Sequence, residues 1–215
     1  MSKTRRTILA ITFAFVAAGC LLGATKLPLW HLRMEAPQYR EQEALKVNVF
    51  AGSMNGDLRE ITVLNQYIGV HIPAVLPQSK WLPTALIIGA ALGVLASLLP
   101  FVVRRGALLV TSIALASAIG VAVFQAKQQM HDIGHKRDAH TKLARVHDFD
   151  PPFLGTAKVA QFTITASFGS GAYLVGAAIA LQVGAAFVSR GSCGANCCCK
   201  KSQPIVSTKT SEALA

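Results

Sequence analysis

Residues 82–126 read LPTALIIGAALGVLASLLPFVVRRGALLVTSIALASAIGVAVFQA. Two uncharged runs, Leu82–Val103 of 22 residues and Gly106–Ala126 of 21, are separated only by Arg104 and Arg105. A helix needs about 20 apolar residues to cross the hydrocarbon layer, so this stretch predicts two crossings in opposite directions around a basic turn. Working outward, Ile8–Thr25 is an uncharged run of 18 and Val159–Ser189 one of 31. The last run is polar at its start (Gln161, Thr163, Thr165, Ser167, Ser170). Its span is placed at residues 167–189, and Val159–Ala166 is read as an interfacial approach. The expected fold is an all-α membrane protein. It is a four-helix transmembrane bundle with spans at 8–25, 82–103, 106–126 and 167–189, and loops at 26–81 and 127–166.

Composition agrees with lipid as solvent. Of 215 residues 52% are hydrophobic and 14% charged, where a soluble domain carries about a quarter of its residues as charges. The net charge of +11 does not indicate a nucleic-acid partner, because the basic residues are scattered between apolar blocks rather than gathered on one face. They read instead as topology. Lys3, Arg5, Arg6, Arg104, Arg105, Arg190, Lys200, Lys201 and Lys209 flank the spans on one side with a single acid, Glu212, whereas the two longer loops are nearly balanced. Basic flanks stay inside, so both termini (1–7 and 190–215) are expected in the cytoplasm and both long loops outside, in a bacterium on the periplasmic side of the inner membrane. Lys3-Thr4-Arg5-Arg6 followed by Ala17-Ala18-Gly19-Cys20 also resembles a lipoprotein signal ending at an acylated cysteine. Ala17 stands where such a signal has Leu, and Leu21-Leu22 continue the apolar run, so an uncleaved anchor is expected.

Helices in lipid associate through small residues four apart. Such rows are Ala85, Gly89, Gly93 and Ser97; Ser112, Ala116 and Gly120; and Ala172, Gly176, Ala180 and Gly184. They suit a compact bundle, or a homodimer through Gly89 and Gly93. No predicted span holds Asp, Glu, Lys, Arg or His, which argues against ion pumping, ion-coupled transport and haem ligation within the bundle. No phosphate-cradling glycine motif, nucleophile elbow, HExxH or CxxCH is present, so an enzyme is not expected.

In the first loop, Leu45–Phe50 alternates apolar and polar residues as a half-buried strand does. Residues 52–56 form a turn cluster, and Asp57 can cap an amphipathic helix bearing Leu58, Ile61, Leu64 and Ile68. These make a small ordered extracytoplasmic module. The second loop carries His131, Asp132, His135, Asp138, His140, His147, Asp148 and Asp150. If the third helix continues a turn beyond the membrane, His131 and His135 share a face at a spacing that can chelate a divalent metal. With Met130 beside them, imidazole, carboxylate and thioether donors suit copper or zinc, the thioether favouring reduced copper. The other reading is solvated loop histidines. Cys193, Cys197, Cys198 and Cys199 lie in the cytoplasmic tail, where they could take a soft metal, be acylated, or remain free thiols.

Ala36-Pro37-Gln38-Tyr39, Gly56-Asp57-Leu58-Arg59-Glu60-Ile61, Leu64-Asn65-Gln66-Tyr67-Ile68-Gly69, Gly134-His135 with Asp138, and Pro151-Pro152-Phe153-Leu154-Gly155 resemble a little-characterised family of bacterial multi-span membrane proteins. Similar proteins accompany copper enzymes such as nitrous oxide reductase. The resemblance implies an accessory role in copper supply or in maturation of a periplasmic or membrane oxidoreductase. Where that pattern has Pro, Asn, His, Met and Pro, this chain has Arg40, Thr62, Gln66, Val70 and Ala139. His71 or Met54 are the first-loop substitutes for the missing His and Met. The expected copper ligands are His135 and Asp138, supported by His131, His140, His147 and His71. The alternative from another class is a structural or assembly subunit of a membrane complex with no metal role.

Overall fold

The computed structural model describes residues 3–35, 44–60, 80–135, 152–159 and 162–189. It contains four long helices: α1 (Lys3–Ala24), α2 (Leu82–Leu98), α3 (Phe101–His135) and α4 (Ser170–Val188). Between them lie five strands, β1 (Trp30–Glu35), β2 (Leu45–Val49), β3 (Met54–Gly56), β4 (Gly155–Val159) and β5 (Phe162–Phe168). Helices α1, α3 and α4 are long and apolar enough to cross a membrane, and α2 is a shorter apolar helix of 17 residues. Helix α1 packs against α2 and α4, and α3 against the same two.

Prolines set the helix boundaries. Pro83 occupies the first turn of α2, where its missing N–H is no loss and its fixed φ suits the helix. Leu99, forced toward extended backbone by the following proline, ends α2 with φ −63° and ψ 157°. The carbonyl of Pro100 then accepts hydrogen bonds from the amides of Val103 and Arg104, both at 3.0 Å, so α3 starts at once. Arg104 and Arg105, expected in the connection, therefore lie in the opening turns of α3, and the connection is only Leu99 and Pro100. At its other end α3 continues past Ala126 to His135. Its 35 residues span roughly 50 Å at 1.5 Å per residue, well beyond the ~30 Å hydrocarbon layer.

The packing inverts that of a water-soluble protein. Buried positions are mostly small: Ala10, Ala14, Ala17, Ala24, Ala90, Ala96, Ala178 and Ala185, with Leu21, Leu86 and Leu108. The large side chains Phe15, Ile88, Leu95, Val110, Ile113, Phe124 and Phe187 face outward. Lipid imposes no cost on outward leucines and phenylalanines, and helices gain by approaching closely over small residues. Gly89 lies against Leu115 of α3, and Gly93 faces the amide of Gln182 on α4. Both glycines weighed for a homodimer thus make contacts within the chain. Ser97 and Ser112 turn their hydroxyls onto the carbonyls of Val94 (2.7 Å) and Leu108 (2.6 Å), satisfying buried polar groups locally. Arg104, 6% exposed, donates from Nε to the Leu99 carbonyl at 3.1 Å. A basic residue is thus buried at one end of a helix long and apolar enough to cross a membrane, which the run boundaries did not suggest.

The strands correct the all-α expectation. They form one antiparallel sheet in the order β3-β2-β1-β5-β4, so the two loops contribute to a single module. The central pair joins them: Trp30 pairs with Phe168, Leu32 with Ala166 and Met34 with Ile164. Strand β2 lies at the expected position. The turn cluster instead carries β3, and Val159–Ala166, read as an interfacial approach, lies mostly in the β4–β5 hairpin. The physical reason is period two. Phe162, Ile164, Ala166 and Phe168 alternate with Thr163, Thr165 and Ser167, which fits a half-buried strand but merges with the adjoining apolar helix when charge alone is counted. Only Leu58–Glu60 of the expected amphipathic helix are described, and they are helical; Ile61, Leu64 and Ile68 lie outside the described residues.

Two junctions, one of apolar packing and one of backbone hydrogen bonds, fasten the sheet to the helices. The buried Ala51, in the β2–β3 turn, packs with Leu82 and Leu86 of α2. At the start of α4, the amide of Gly169 donates to the Leu29 carbonyl and that of Gly171 to the Pro28 carbonyl, each at 2.9 Å. The segment leaving α1 thereby caps α4, which lacks a side-chain cap. A Cβ on Gly169 would collide with the Pro28 carbonyl. Gly169→Ala is expected to destabilise the protein by about 1–3 kcal/mol, as overpacking does. Gly176→Ala, where nothing lies within 4 Å, should leave the midpoint of thermal unfolding in detergent close to wild type.

Candidate functional site

The sheet places its side chains on two unlike faces because alternate residues point to opposite sides. One face is apolar: Leu45 and Val47 are buried, with Leu32, Met34, Val49, Met54 and Leu58 against them. Met54, considered as a first-loop metal ligand, belongs to this apolar cluster. The other face is polar. Asn55, Asn48, His31 and Ser167 stand in register across β3, β2, β1 and β5. Beyond them come Lys46, Arg33, Thr165 and Thr156.

His31 is the side chain in this row that the sequence did not single out. Its Nδ1 lies 2.6 Å from Oδ1 of Asn48, its direct cross-strand partner. A carboxamide oxygen only accepts, so Nδ1 carries the proton and donates. Its Nε2 faces the sheet-to-helix junction, where a Cβ on Gly169 would come within 3.2 Å. The one signal for His31 is the alternation within Trp30–Glu35, a short segment whose polar members made it look like loop. Nearby, Arg33 and Glu35 form an exposed ion pair at 2.7 Å, an arrangement that contributes little to stability. The hydroxyls of Thr156 and Thr165 meet at 3.2 Å. Asp57 closes the β2–β3 pair: its carboxylate accepts from the amide of Lys46 at 3.0 Å, and its own amide donates to the Lys46 carbonyl at 3.1 Å.

Of the predicted ligands, His131 and His135 are described, and α3 carries both. Gly134 does not interrupt the helix, which runs on through His135. The two imidazoles face each other with ring centroids 4.0 Å apart and planes tilted by 35°. His135 donates from Nδ1 to the carbonyl of His131 at 2.9 Å. A carbonyl can only accept, so the bond fixes the tautomer and makes Nε2 the nitrogen that carries the lone pair. This is the way metal-binding histidines are commonly oriented, one ring nitrogen held by a backbone carbonyl while the other meets the ion. Both rings are exposed. Asp138, His140, His147 and His71 lie outside the described residues, as do Cys193, Cys197, Cys198 and Cys199. Among the described residues, no group of three or more His, Cys, Asp or Glu side chains gathers as a metal site.

The polar face therefore offers hydrogen bonding, and the α3 extension offers two imidazoles on one helix side. No family model matches the chain, and neither does any curated protein. Asn48→Ala removes the acceptor for His31 and is expected to cost about 1 kcal/mol, the usual net worth of such a bond. Asn55→Ala, at the exposed end of the same row, should change stability by less than about 0.5 kcal/mol. Chemical denaturation of the two variants beside wild type checks the difference.

Proposed function

We propose that this chain is a four-span bacterial inner-membrane accessory protein, with both termini cytoplasmic, whose extracytoplasmic module handles copper in transit to a periplasmic or membrane oxidoreductase. Three helices long and apolar enough to cross a membrane support the membrane part. Helix α2 serves as the remaining span: 17 residues cover about 25 Å, and Trp81 at its outer end donates to Gln125 of α3 at 3.3 Å, in keeping with an interfacial indole.

The observation that carries the copper reading is the His131–His135 pair: two imidazoles one helical turn apart with ring centroids 4.0 Å from each other, one of them held by a backbone carbonyl. Copper here is cargo. Two imidazoles suit copper yet leave its coordination incomplete, which favours hand-over to a protein that supplies further ligands. Asp138, His140, His147 and His71 are the candidates for completing or relaying the site. A second reading, a structural or assembly subunit without a metal role, draws on the hydrogen-bonding row across the polar sheet face, which suits a protein partner.

Stripped protein in detergent, loaded with Cu(I) under a competing chelator, distinguishes them. Stoichiometric binding that weakens at least about tenfold in the His131→Ala, His135→Ala double variant is the expected result, since loss even of ligand-orienting groups costs 10–100-fold. Wild-type protein that retains no copper but co-purifies with an oxidoreductase subunit would favour the second reading.

A further inference from the structure

We infer that the corner where the sheet meets α4 is a lipid-facing surface, with Phe153, Leu154 and Phe168 lodged in the outer headgroup region of the bilayer. Three observations converge on this corner. The first is its place in the fold. Gly155, the first residue of β4, pairs with Ala166, two residues before Phe168, and α4 opens at Ser170. The segment just before β4 therefore lies at the end of the sheet from which α4 descends.

The second is how it is held. Trp30 donates from its indole nitrogen to the carbonyl of Phe153 at 2.8 Å. The Phe153 ring lies 6.1 Å from that of Trp30, nearly parallel to it, and meets Phe168 edge-on at 6.4 Å. Trp30 itself is buried and stands in register with Phe168. Aromatic contacts and a buried indole hydrogen bond thus fix these side chains where they are.

The third is what they present. Leu154 is 47% exposed, Phe168 41% and Tyr173, one turn into α4, 69%. Exposed apolar surface is unfavourable in water, whereas aromatic rings gather at the level of lipid headgroups. Along the chain Phe168 is followed by the outward Tyr173 and Phe187 of α4, and the charged groups Arg33, Lys46 and Lys158 stand on the opposite face of the sheet. The occupant that matches both the chemistry and the continuity is the outer leaflet. The inference rests on the membrane-spanning reading above and adds that the sheet module itself enters the interface.

The test uses the full chain in phosphatidylethanolamine–phosphatidylglycerol vesicles containing an aryl diazirine dissolved in the bilayer, with labelled residues mapped by mass spectrometry. Phe153, Leu154 and Phe168 should be labelled to the same degree as Tyr173 and about fivefold or more above Arg33 and Lys46, as befits side chains at the interfacial level. An unlabelled corner beside well-labelled Val110 and Ile113 of α3 would overturn the inference and leave the spanning helices intact. Absence of label at Val110 and Ile113 as well would remove the membrane reading and the inference with it.

Discussion

The pairing of β1 with β5 is the constraint on which the rest depends. Strand β1 follows α1 after five residues and β5 runs into α4 after one, so six antiparallel residue pairs tie the first helix to the last just beyond their outer ends. The same register brings the carbonyls of Pro28 and Leu29 over the amides that open α4, and only a residue without a Cβ fits at 169. Strand β2 then pairs with β1 and β4 with β5. Two loops far apart in the chain become one sheet with an apolar and a polar face. Leu45 and Val47 of the first loop and Ile164 of the second are buried on the apolar face of that one sheet.

Beneath the sheet, the solvent decides the arrangement. Alanines and glycines inside with leucines, valines and phenylalanines outside would be a poor design for water, which drives large apolar side chains inward. In hydrocarbon nothing drives them, and close helix approach determines contacts. Gly89 against Leu115 and Gly93 against Gln182 are such approaches. Polar groups inside are few, and the serines bond to their own helices. Among the described residues, Gln182 Oε1 and Arg104 Nη1 are buried without a hydrogen-bond partner.

Much of this was legible in the residues. Each uncharged run of membrane length falls on one of the four long helices among the described residues, and the alternation of Leu45–Phe50 located β2. The spacing of His131 and His135 foretold a shared helix side, and Gly134 proved compatible with it, since one glycine costs a helix only about 1 kcal/mol. Other features were hidden for definite reasons. Strand β5 is as uncharged as the helix that follows, so only its Thr and Ser alternation separates them. Arg104 and Arg105 resemble a turn because charge commonly marks a helix edge in lipid, whereas here Pro100 marks it. His31 gained its importance only from Asn48 and Gly169, which lie 17 and 138 positions away in the chain and which no local pattern connects to it.

The junction of the two loops can be tested in one step. Opposed residues of antiparallel strands have Cα atoms about 4.5–5.5 Å apart, inside the range a disulfide bridges, whereas diagonal neighbours lie about 7–8 Å apart. Arg33→Cys with Thr165→Cys replaces one such opposed pair. Under mild oxidation of the protein in membranes, mass spectrometry should find the 33–165 linked peptide in high yield and little or none for Arg33→Cys with Thr163→Cys. Failure of the first pair to link, or equal linking of the second, would contradict a sheet built from both loops.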